Sequence, residues 1–254
     1  MIFPSISRSF DGMQTDLNSS TPLPPSLTED NSVQVKATPS VQVKHKQRVA
    51  DHGEVFTSER EVNAMLDLVK NETDRIESRF LEPACGNGNF LAEILTRKLA
   101  VVEQRYKNSQ LEYERYAVTA ISSLYGVDLL EDNVEECRQR LLGIFLDNYR
   151  RLYKDACTDA CIASVTFILS RNILWGDALT LKTADGTDTP IIFSEWSAVN
   201  GSFLKRRDFA FSTLLAYQPI EGPNLFSDLG ESAFIAKPVK DYPLMHFLKL
   251  DEHA

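Results

Sequence analysis

The feature that most restricts this chain is the run Arg79-Phe80-Leu81-Glu82-Pro83, followed at once by Ala84-Cys85-Gly86-Asn87-Gly88-Asn89-Phe90. Leu91, Leu95, Leu99 and Val102 then recur at helical spacing. A short apolar strand, a Gly-x-Gly turn and an amphipathic helix, in that order, predict one strand–turn–helix unit of an open α/β sheet. Ligands of such sheets bind beyond the carboxyl ends of the strands. Gly86 and Gly88 lack side chains where a backbone would approach a ligand, and amides at the helix start can meet a carboxylate. A lone Gly-x-Gly is weak. Its weight here comes from the strand before it, the helix after it and the acid at the strand end.

The same rhythm continues on both sides. Ser58 and Glu61 form a capping-box pattern ahead of Val62, Met65, Leu66 and Val69, which predicts a helix to about Lys70. A polar helical stretch is expected from about Leu111 to Ser122, then a second strand over Ser123–Asp128. Asp132 or Asn133 can cap a long helix carrying Val134, Cys137, Leu141 and Ile144, and another helix is expected over Ala156–Leu169. Asn172–Trp175 reads as a third strand closed by Gly176-Asp177, and Pro190–Phe193 begins a fourth. Strands alternating with helices imply parallel pairing with right-handed crossovers. After Trp196 the rhythm fails, and Pro219, Gly222, Pro223, Gly230, Pro238 and Pro243 punctuate the remainder. The expected organisation is a disordered tail over 1–47, an α/β unit over 48–197 and an irregular extension, expected to be a docking surface, over 198–254.

Composition narrows the function classes. Residues 1–47 show no sustained apolar period and cannot bury enough surface to offset chain entropy. No segment reads as a secretory signal or reaches membrane-spanning length, so a soluble, cytoplasmic protein is expected. Four cysteines in 254 residues are too few for a disulfide scaffold. Cys157 and Cys161 could share a helix face, but no His pair accompanies them, and no metal site is expected. The net charge of −9 argues against strong DNA binding by this chain alone.

The segment Leu81–Phe90 resembles motif I of class I S-adenosylmethionine-dependent methyltransferases, particularly the DNA adenine methyltransferases of restriction-modification systems. Three flanking segments resemble that family in order, over about residues 48–185. Gly53-Glu54-Val55-Phe56-Thr57 is similar to its Phe-Thr-Pro motif, which closes over the methionine end of the cofactor; Ser58 stands where the Pro is usual. Gly126-Val127-Asp128 is similar to the second-strand acid that accepts from the ribose hydroxyls. Asn172–Leu179 is similar to the third-strand segment whose Asp meets the cofactor's adenine. The resemblance implies S-adenosylmethionine held by Phe56, Thr57, Glu82, Pro83, Ala84, Cys85, Gly86, Gly88, Asn89, Phe90, Asp128, Leu129, Asp177 and Ala178. Plain structural readings stand beside these: Asp128 as a helix cap, Asp177 as a turn acid, Phe56 as packing. The interval from Glu82 to Asp128 exceeds the roughly 20 residues of a minimal unit and requires an inserted helix.

The family's Asn-Pro-Pro-Tyr loop after the fourth strand is missing. Phe193-Ser194-Glu195-Trp196-Ser197 stands at the equivalent place, with Ser194 and Trp196 weakly echoing its polar and aromatic roles, although a strand end with a packed Trp is the better reading. The family's fold also needs about three more strands, and its fourth lies inside the sheet. The resemblance therefore implies an incomplete Rossmann-like sheet and a split or truncated methyltransferase. A partner subunit would supply the catalytic loop and target recognition, and Lys205, Arg206 and Arg207 would be candidate contacts to DNA in the assembly. The rivals are an autonomous methyltransferase with a degenerate loop acting on another substrate, and an inactive binding module.

Overall fold

The computed structural model describes residues 57–215 and 237–253. The expected tail over 1–47 and the candidate Phe56 lie outside them.

Ser58 starts helix α1 (Glu59–Asp67) through a complete capping box, with the Ser58 hydroxyl accepting from the Glu61 amide and the Glu61 carboxylate accepting from Ser58. Val62 and Leu66 turn inward while Met65 is exposed. A short α2 (Lys70–Thr73) leads to β1 (Phe80–Glu82). In α3 (Asn89–Tyr106) Leu91, Leu95, Leu99 and Val102 are all fully buried, as their spacing requires. The inserted helix is α4 (Gln110–Ser122), polar on one side but burying Tyr113, Ala117, Val118 and Ile121 on the other. All five residues of β2 (Leu124–Asp128) are buried.

Two expected helix starts need correction. Helix α5 (Glu131–Tyr153) is capped by neither Asp132 nor Asn133: Leu130 takes the cap position, and the Asp128 carboxylate accepts from the Leu130 amide and the Asn133 side chain. Helix α6 (Asp159–Asn172) begins after Ala156, because Lys154–Ala156 forms a 3-10 turn and Thr158 supplies the capping oxygen to Cys161. Strand β3 (Ile173–Asp177) follows directly.

The first sheet has the order β1-β2-β3-β4, its first three strands parallel and the two-residue β4 (Lys182–Thr183) antiparallel to β3. The chain is thus mixed α/β with a parallel-containing sheet, compatible with a Rossmann-like fold. Strand alternation sends the two faces of β2 into different cores. Leu124 joins the helical core with Leu91, Leu95 and Val165, while Tyr125 and Val127 pack with Ile191, Phe193 and Phe211.

The fourth strand departs from expectation. Strand β5 (Ile192–Asn200) does not enter the parallel sheet but pairs antiparallel with β6 (Phe203–Ala210), which pairs antiparallel with β7 (Lys240–His246). The supposedly irregular extension therefore holds two strands, with a five-residue α7 (Phe211–Leu215) after β6. Two physical reasons hid them. The inward face of β6 alternates Leu204, Arg206 and Asp208, all buried, so a charged pair interrupts the apolar pattern. Pro238 precedes β7 and Pro243 lies within it, which an edge strand tolerates. One signal was legible: Gly201-Ser202, with Gly201 at φ +51°, is the two-residue hairpin loop that joins β5 to β6, with Asn200 pairing with Phe203 across it.

Candidate active site

The three parallel strands bring Glu82, Asp128 and Asp177 to one end of the sheet. Glu82 is level with Gly126 and Asp128 with Trp175, so each successive acid stands two residues further out, a step of about 7 Å. The glycine turn is bound to this rim. The Cys85 amide donates to the Val127 carbonyl at 2.9 Å, the Gly88 amide to the Cys85 carbonyl at 2.8 Å, and the Gly86 amide to Asp128 Oδ2 at 2.8 Å.

The glycines act differently from one another. Gly86 (φ +51°) and Gly88 (φ +86°) both adopt the left-handed conformation that side chains disfavour. A Cβ on Gly88 would sit 2.6 Å from Cys137 Sγ, so this glycine serves the close approach of α5 rather than of a ligand. Gly126 is similarly explained: a Cβ there would lie 3.0 Å from both Cys85 Sγ and Leu91 Cδ1. Cys85 is buried beneath the turn, Phe90 is half-buried against the helical core, and Pro83 and Ala84 are exposed.

The acids differ in what they have left to offer. Glu82 is half-buried, and burial pushes its carboxyl up to about 7, partly opposed by the Ala84 amide. Asp128 is nearly saturated: Oδ2 takes the Gly86 amide, while Oδ1 takes the Leu130 amide and the Asn133 side chain. A carboxylate has about four acceptor sites, so about one remains for a ligand hydroxyl. Asp177 forms a turn, with Oδ1 accepting from the Leu179 amide and Oδ2 from the Thr180 hydroxyl, and these bonds hold its carboxyl below the usual range. The Leu129 side chain is exposed while its carbonyl receives Trp175 Nε1, and Ala178 packs at the margin of the smaller core.

The remaining candidates do not converge here. Ser194 is fully buried and donates to Asp208 Oδ1 at 2.7 Å, and Trp196 is buried with Nε1 donating to Asn172. Neither is placed to touch a substrate, because the inward face of β5 packs against α6 instead of ending at the sheet rim. Arg206 is buried too, paired twice with Asp208 among the rings of Phe167, Trp196 and Tyr242. It cannot reach a phosphate. Lys205 is paired with Asp241, and Arg207 with Glu195, which also binds Arg79.

Sequence reading missed one contributor, a stripe along α5. Asn133 donates to Asp128, Glu136 accepts from Asn87, Cys137 lies against Gly88, and Arg140 donates to Asn89 Oδ1 at 2.6 Å. The spacing, i, i+3, i+4 and i+7 along one helix face, was present in the sequence but has no meaning until α5 is placed beside the glycine turn. A surface groove of about 290 Å³ lies between α1, α3 and α5, on the helical flank of the turn, with Asn89 and Arg140 in its lining.

This rim of acids around a left-handed glycine turn stands at the carboxyl ends of the parallel strands, the place where open α/β sheets build ligand sites. Comparison with family models, curated proteins and solved structures returns no match to this chain. No helix among the described residues is long and apolar enough to cross a membrane.

Proposed function

We propose that the chain is the S-adenosylmethionine-binding subunit of a split DNA adenine methyltransferase of a restriction-modification system. The observation that carries this reading is the convergence of Glu82, the Gly86–Gly88 turn, Asp128 and Asp177 on adjacent carboxyl ends of parallel strands. These are the segments whose order resembles that enzyme family, and β1-β2-β3 is read as one half of its Rossmann-like sheet. Glu82 supports a cationic ligand. Its charge is held in a desolvating position where the described residues include no ion-pair partner for it, and a cation placed beside it would restore the ionised form. S-adenosylmethionine carries an ammonium and a sulfonium, and when bound it supplies an already activated methyl group. The chain's own part is then to hold and orient: Glu82 at the cationic end, the open site on Asp128 for a ribose hydroxyl, and the rim near Asp177 and Ala178 for the adenine.

The catalytic loop and target reader are assigned to a partner. Ser194 and Trp196 are interior groups here, and among the described residues no strand pairs with the outer side of β1. An unpaired edge of this kind is a template for a strand of another polypeptide. The near-saturation of Asp128 favours a second reading, a non-catalytic module that keeps the fold. Labelled methyl transfer to duplex DNA separates the possibilities. The expected result is none with the purified chain and transfer once the partner is added. Transfer by the chain alone would defeat the split-enzyme reading and favour an autonomous methyltransferase.

A further inference from the structure

Resting on the cofactor reading above, we propose that Arg140 is a positioning residue for that site, acting through Asn89 to fix the backbone that enters it at Thr57. Asn89 opens α3 directly after the glycine turn, and its carboxamide is held at both ends. Oδ1 accepts from Arg140 Nη1 at 2.6 Å, and Nδ2 donates to the Thr57 carbonyl at 3.2 Å. A carboxamide presents an acceptor at one end and donors at the other, whereas a guanidinium has donors only. Arg140 therefore dictates which way the Asn89 amide faces. With Oδ1 committed to Arg140, the amino end is presented to Thr57; flipped, it would set oxygen against oxygen at Thr57 and donor against donor at Arg140.

The relay has a firm root and a soft flank. Helix α5 is anchored at the rim where Asp128 binds the Leu130 amide and Asn133. From there Glu136 and Cys137 meet Asn87 and Gly88, and Arg140 is the last contact of the stripe. On their other side Arg140 and Asn89 face the groove between α1, α3 and α5, so hydrogen bonds rather than close packing set their geometry. Thr57 belongs to the segment that the family resemblance places over the methionine end of the cofactor. The Asp128 rim is thus linked through one helix to the Thr57 carbonyl.

The test uses the full chain with Arg140→Ala, Asn89→Ala, the double variant and Asn89→Asp. Two quantities are read: amide hydrogen exchange at Ser58, whose N–H shares a peptide unit with the Thr57 carbonyl, without ligand, and S-adenosylmethionine affinity by calorimetry. Arg140→Ala should raise exchange about fivefold and weaken affinity by a similar factor, the worth of about one hydrogen bond. The double variant should be no worse than Asn89→Ala, since Arg140 acts only through Asn89. Asn89→Asp keeps a partner for Arg140 but turns an oxygen toward Thr57, and should lose as much as Asn89→Ala. Unchanged exchange in Arg140→Ala, or additive losses in the double variant, would overturn the relay. No binding by the wild-type chain, with the exchange response intact, would overturn the cofactor reading and leave the relay standing.

Discussion

At Glu82 the proposed ligand binding and folding stability pull in opposite directions. Its folded carboxyl lies near 7 against an ordinary value of 4.5. Between those pH values the folded chain holds a proton that the unfolded chain has released, so this group's contribution to stability falls as pH rises through the window. Glu82→Gln should therefore stabilise the chain at pH 8 by about 1–3 kcal/mol and have little effect at pH 5, as read from urea midpoints. Equal effects at both pH values would contradict the assignment. Lys98 shows the opposite sign. It is fully buried, its ammonium donates to the Ile76 and Ser78 carbonyls and to the Ser123 hydroxyl, and burial pulls it from 10.5 to about 7. Between those values the unfolded chain binds the extra proton, so stability should rise with pH from about 7 to 10.5. Lys98→Met should flatten that slope and cost about 2–4 kcal/mol, because two buried carbonyls lose their donor.

Among the elements, the antiparallel sheet shows how far the sequence could be read. Helices α1 and α3 and strands β1 to β3 were legible because their apolar residues are locally patterned, with a capping box opening α1, and α4 was legible as a polar helical stretch. The glycine turn and Glu82 at its strand end follow from the strand–turn–helix pattern, whereas Asp128 and Asp177 are singled out only by the family resemblance. Strands β6 and β7 were not, since the core positions Arg206 and Asp208 read as surface until their pairing is seen, and Pro243 reads as a breaker until β7 is known to be an edge. The α5 stripe was hidden because its meaning lies in a neighbour distant in sequence. The Arg206–Asp208 pair gives a sharp test at this scale. Asp208→Asn leaves a buried guanidinium charge uncompensated and should cost about 3–5 kcal/mol, while replacing both residues by apolar ones of similar volume should recover most of that loss. A double replacement as damaging as the single one, in chemical denaturation, would show that the pair contributes more than its own compensation.

For the whole molecule, the described architecture is a parallel three-strand platform with an acidic rim at one end, an outer edge at β1 that no described strand covers, and an antiparallel sheet. In this account the rim holds a cofactor and the edge receives a partner, so binding and catalysis are separable properties of one assembly. The most direct measurement is titration calorimetry of S-adenosylmethionine into the folded full chain at pH 8, with Glu82→Gln beside it. The account predicts one site in the wild-type chain and, in the variant, an affinity weaker by about tenfold or more, the usual scale for losing a charged partner, even though the variant is the more stable protein. No heat of binding with well-folded wild-type chain, or equal affinity in both, would contradict it.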